Sequence, residues 1–136
     1  MRRIVLLVLC AGSACSSSEA PAGRSGVDPV QPVSSLSQAD LQKLCAWSLQ
    51  AEGGAGTTIG CDGGLSLHVK TLDQCVNGLT ALTCSTITAG LYEDCSAAIG
   101  QAPCLGLDNP GCASYWQAVR GCLPDGGFVV LVDGGT

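Results

Sequence analysis

The chain has 136 residues, ten cysteines, only five aromatic residues and a formal charge of −5, with acidic residues outnumbering basic ones eleven to six. A length of this kind makes one small domain, whose core must be built from Leu, Val, Ile, Ala and cysteine. The acidic balance argues against nucleic acid as a partner and against charge-driven binding to an anionic membrane surface.

In chain order the first element is a leader. Arg2 and Arg3 precede the apolar run Ile4–Leu9, and the small residues Ala11, Gly12, Ser13 and Ala14 follow. This is the grammar of an export signal, and the run is too short to span a bilayer as a permanent helix. Gly12-Ser13-Ala14-Cys15 resembles the lipobox of bacterial lipoproteins, in which small residues precede a cysteine that is acylated and becomes the new N-terminus. The resemblance covers residues 1–15 and implies a signal peptide at 1–14, a lipid on Cys15 and attachment to the membrane through that lipid, at the outer membrane of a bacterial cell envelope. A chain beginning at Cys15 would keep four basic and eleven acidic residues, a formal charge of −7.

Thiol parity supports the same cut. Eight cysteines lie downstream: Cys45, Cys61, Cys75, Cys84, Cys95, Cys104, Cys112 and Cys122. With Cys10 discarded and Cys15 acylated, all eight can pair; cleavage after Ala14 by an ordinary peptidase would leave an odd exposed thiol. Cleavage after Ala20 also keeps eight cysteines and gives a soluble secreted protein instead, with Pro21 an unfavourable residue beside that cut.

Residues 16–35 contain six Ser, three Pro and two Gly, with Val27, Val30 and Val33 the only sizeable apolar residues. That composition predicts a flexible linker over 15–35, about 25 Å in root-mean-square span. The domain is expected to run over 36–136. A Ser37 cap with Asp40 three residues on opens a first helix through Leu41, Leu44, Cys45 and Leu49, stopped by Glu52-Gly53-Gly54. Thr57–Cys61 and Leu65–Val69 flank Asp62-Gly63-Gly64, a hairpin signal.

A capping box at Thr71 and Gln74 predicts a second helix with Leu72, Cys75, Val76, Leu79 and Leu82 on its apolar stripe. A third is expected over Ala89–Ile99 with Tyr92, Cys95 and Ile99 on one side. A fourth should begin at Asn109-Pro110 and carry Cys112, Tyr115, Trp116, Val119 and Cys122. Phe128–Val132 reads as a last extended run. The fold class is therefore mainly α: a small disulfide-stapled domain of about four short helices with a minor antiparallel β-hairpin. Leu72-Asp73-Gln74-Cys75 with Cys84 resembles Tyr92-Glu93-Asp94-Cys95 with Cys104 at a period of twenty; two copies are too few for a repeat array, and similarity between capped helices with a buried cysteine explains them.

The cysteine spacings within the domain run from eight to sixteen and the only histidine is His68. Zinc sites need closely spaced thiolates or imidazoles, and a Cys-x-x-Cys redox pair is missing, so structural disulfides are the expected role and no metal or cofactor is expected. Cys112 and Cys122 are too far apart along one helix to bond each other and require different partners. His68 falls on the polar face of a strand with no nucleophile or acid nearby in sequence, which predicts a surface histidine. Glu93-Asp94 reads as a solvated helix face. Asp62, Asp125 and Asp133, each followed by two glycines, read as turns, since one carboxylate per copy is too few for calcium.

These features favour a non-enzymatic envelope lipoprotein whose domain binds something or decorates the cell surface, with a protein or an envelope polymer as the possible partner. A secreted, soluble disulfide-rich effector or inhibitor is the second reading. An enzyme with a site assembled from distant residues is the third.

Overall fold

The computed structural model describes residues 24–122. The leader, Cys10, Cys15, the first part of the expected linker, the run Phe128–Val132 and the turns at Asp125 and Asp133 lie outside the described residues. Four helices and a two-stranded antiparallel sheet make up the described domain, which is the mainly helical class expected.

Helix α1 spans Gln38–Ala51. The Ser37 hydroxyl accepts from the Asp40 amide at 3.2 Å, satisfying one of the free N–H groups of the first turn. The Ser37 hydroxyl and then the Lys43 ammonium hold the Asp40 carboxyl below the ordinary carboxylate range. Leu41, Leu44, Cys45, Ser48 and Leu49 are buried. At the far end Gly54 donates back to the Leu49 carbonyl at 2.7 Å, with Gly53 and Gly54 at φ of 115° and 108°, a region open to glycine.

Strands β1 (Thr58–Gly60) and β2 (Ser66–His68) pair with Thr58 opposite His68 and Gly60 opposite Ser66. The connecting Asp62–Gly64 forms a 3-10 turn in which Gly63 takes φ 77°. Helix α2 follows at Leu72–Thr80, with both halves of the capping box present: Thr71 Oγ1 accepts from the Gln74 amide and Gln74 Oε1 accepts from the Thr71 amide. Cys75, Val76 and Leu79 are buried, but Leu72 remains 38% exposed, at the edge of the stripe rather than in it.

Helix α3 covers Ala89–Gln101, capped by Thr88. The expected fourth helix does not begin as α at Asn109-Pro110. Pro110–Cys112 is a 3-10 turn and α4 proper spans Ala113–Arg120. Asn109 explains the tighter start: its side-chain amide donates to the Ala98 carbonyl at 2.8 Å while its oxygen accepts from the Gly111 amide at 2.9 Å, so the turn is fastened to α3. Gly111 is needed there, because a Cβ would overlap that of Ala98.

The core centres on α1, which packs on α2 and α3, with Leu44, Ile87 and Val33 its largest fully buried side chains. At the C-terminal end of α1, Gly100 of α3 comes so close that a Cβ would overlap the Ala51 carbonyl oxygen.

Val33 belongs to the stretch expected to be a linker, and here the domain boundary moves. Residues 24–35 form a strap laid across the start of α3. Val27 and Val33 are 3% and 1% exposed. Val33 donates to the Ile87 carbonyl, Ala89 to Gln31 and Gly90 to Pro29, at 2.8, 3.0 and 2.8 Å. The Ser/Pro-rich composition suits this strap as well as a tether, since a strap hydrogen-bonded at a few points needs only occasional apolar anchors.

Four disulfides staple the domain. Cys45–Cys75 joins α1 to α2, Cys61–Cys104 joins the hairpin to the turn after α3, Cys84–Cys122 joins the α2–α3 loop to the end of α4, and Cys95–Cys112 joins α3 to the turn before α4. Their Cα separations, 5.9, 5.6, 5.6 and 4.3 Å, suit bridging. Cys112 and Cys122 do take different partners. The apparent twenty-residue repeat does not keep its register to the helix starts: Cys75 lies in the first turn after its Thr71 cap, whereas Cys95 lies about a turn further beyond Thr88, on the same face.

Candidate functional site

A groove of about 510 Å³ lies between residues 108–110 and α4. Ala113, Trp116, Gln117 and Arg120 recur at helical spacing, so α4 turns all four toward one wall, and Asp108, Asn109 and Pro110 form the other. Asn109 is buried, with both ends of its amide already engaged. Asp108, Gln117 and Arg120 are exposed and free to meet a ligand.

Trp116 is held by an aromatic series running out from the interior. Tyr92 on α3 meets Tyr115 edge to face at 5.9 Å, and Tyr115 meets Trp116 edge to face at 5.0 Å. The Trp116 indole nitrogen is buried and has no hydrogen-bond acceptor among the described residues.

Beneath these rings lies a hydroxyl cluster. Ser48 Oγ is 2.7 Å from Ser96 Oγ, donates to Glu52 at 3.1 Å, and lies 3.4 Å from the Tyr92 hydroxyl, which in turn approaches Cys75 Sγ at 3.4 Å. Ser48 and Ser96 are fully enclosed. Burial, assisted by the nearby Glu52 charge, pushes the Tyr92 phenol up to about 12, and the same two causes raise Tyr115. This cluster satisfies buried hydroxyls and offers a substrate no access.

Of the acidic pair, Asp94 is exposed and ion-pairs with Arg24 at 3.1 Å. Glu93 is not part of a solvated face: it is 3% exposed and accepts hydrogen bonds from the Arg24 amide at 3.1 Å, the Ser25 amide at 2.8 Å and the Ser25 hydroxyl. The strap buries it and supplies the donors that a buried carboxylate requires. His68 is exposed, with Nδ1 3.2 Å from Thr58 Oγ1 across the hairpin. Asp62 sits in the hairpin turn, remote in sequence from the groove residues. A second, apolar groove of about 260 Å³ lies between α1 and Leu72.

The α4 groove was not singled out from sequence, where Trp116 read only as one apolar position of a stripe. The spacing of Ala113, Trp116, Gln117 and Arg120 was available as a signal, but Asp108 joins them only because Asn109 folds the preceding turn back. Comparison with family models, curated proteins and solved structures found no match to the chain.

Proposed function

We propose that the protein is an exported, lipid-anchored component of a bacterial cell envelope whose disulfide-stapled domain binds a partner rather than catalysing a reaction. The observation that carries this reading is the closed set of bridges: the eight cysteines of the domain pair among themselves, so none needs Cys10 or Cys15. Cys15, preceded by Gly12-Ser13-Ala14, is then the residue acylated, and Cys10 leaves with the leader. Four disulfides also suit an oxidising compartment outside the cytoplasm.

The strap adds a dimension to the anchor. Arg24, the first described residue, stands nine positions beyond Cys15, a reach of at most about 32 Å however that stretch is arranged. The α3 end of the domain is then held close to the bilayer. A binding role is supported by the groove on α4, and the enclosed Ser48–Ser96–Tyr92 cluster and the isolated His68–Thr58 contact argue against catalysis at those residues.

Mass spectrometry of the mature N-terminus tests the anchor. A diacylglyceryl-modified Cys15 is expected, abolished by Cys15→Ser; an unmodified terminus at Pro21 overturns it in favour of a soluble secreted effector or inhibitor.

A further inference from the structure

We propose that the α4 groove is a saccharide site, a proposal that rests on reading the domain as a binding module and is independent of the lipid. Its walls combine what a pyranose ring asks for. One indole, Trp116, supplies an apolar surface of the kind on which the C–H face of a sugar packs. Asp108, Gln117 and Arg120 supply planar acceptor and donor groups at the rim, matched to the hydroxyls on a sugar's edge. Pro110 and Ala113 keep the space between them small-sided and open.

Charge narrows the ligand class. Among the described residues of the lining, Asp108 and Arg120 are the only charged ones and are opposite in sign, so these walls favour neither an anion nor a cation. A neutral, hydroxyl-rich ligand meets both. The volume falls in the range of small-molecule sites and exceeds what a single ion would fill.

One further observation points the same way. Trp116 cannot collapse inward, because its edge-to-face contact with Tyr115 is backed by Tyr92; a platform fixed in advance costs little to order on binding.

The test is a titration of the processed, full-length, ¹⁵N-labelled protein with chitohexaose (six β-linked N-acetylglucosamine units), cellohexaose and maltohexaose. At least one is expected to shift the Trp116 indole and Gln117 side-chain amide signals, leaving the Trp47 indole on α1 unmoved. Gln117→Ala and Arg120→Ala, both at exposed positions, should each weaken binding about fivefold, the loss of one hydrogen bond, with the spectrum otherwise unchanged. The proposal is overturned if no hexaose moves the Trp116 signal at about 10 mM, where even a weak sugar site fills. It is equally overturned if the two variants bind as tightly as the parent. Saccharide binding by a protein whose terminus carries no lipid would sink the anchor and leave the groove standing; a lipidated protein without saccharide binding would do the reverse.

Discussion

Replacing Glu93 with alanine should open the strap without unfolding the domain. The substitution removes the acceptor for the Arg24 amide, the Ser25 amide and the Ser25 hydroxyl, all held by one buried carboxylate. A hydrogen bond to a charged group contributes about 1.5–3 kcal/mol net, but the stranded strap amides recover water once it lifts, so the loss should be about 3 kcal/mol rather than the sum of three bonds. Val27 and Val33 remain to hold the strap in part.

Amide hydrogen exchange reads this directly. Ala89 and Gly90 donate to strap carbonyls, Gln31 and Pro29, and Val33 donates from the strap to Ile87. Three kcal/mol corresponds to roughly 150-fold faster exchange at those three amides. Glu93→Gln, which keeps one carbonyl oxygen, should cost about 1–1.5 kcal/mol, near tenfold. The Cys45 amide in the centre of α1 should be unaffected, because the region from Cys45 to Cys122 is tied by bridges that the strap does not share. Unchanged exchange at Ala89 and Gly90, or equal acceleration at Cys45, would refute the separation of strap from stapled body.

Three other outcomes follow from the packing. Gly100→Ala should lower stability by about 1–3 kcal/mol, seen as a reduced Tm, because its Cβ must displace the Ala51 carbonyl at the α1–α3 contact. Tyrosinate absorbance of the folded protein should lag that of the unfolded chain, with the Tyr92 step coming only toward about 12: both tyrosines are raised, so the folded state holds its phenolic protons longer. The stability this contributes is complete below the unfolded value near 10 and is lost as pH climbs to the folded one, and half the absorbance change appearing at pH 10 in the folded protein would contradict it. Removing the bridge between Cys61 and Cys104 with paired alanines frees a loop of 43 residues to which the other bridges offer no appreciably shorter route. The chain-entropy cost is about 4 kcal/mol, a fall in Tm of about 15–30 °C.

Local chemistry was the legible part of the fold. The Ser37 cap, the Thr71–Gln74 capping box, the glycine stop after α1 and the Asp-Gly-Gly hairpin each act within a few residues, and each is present where its residues stand. The strap was not legible, because Val33, Gln31 and Pro29 find their backbone partners, Ile87, Ala89 and Gly90, more than fifty residues on. Glu93 misled for the same reason: an acid in the first turns of a helix reads as solvated until a distant segment covers it. Helical spacing could place Trp116, Gln117 and Arg120 together, but the opposite wall of the groove depends on one side chain, Asn109, reaching back to Ala98.

The pattern of bridges also sets how the protein must be made. No bridge joins cysteines that are neighbours in the sequence, and Cys61–Cys104 is crossed by each of the other three. If the chain is exported from its N-terminus as proposed, the cysteines of the domain arrive one after another, and pairing in order of arrival gives the wrong partners, beginning with Cys45 to Cys61. Reaching the native set requires those early bonds to be broken and exchanged. The last native bridge cannot close until Cys122 has emerged, so completion of the set waits on disulfide exchange and on nearly complete delivery of the chain.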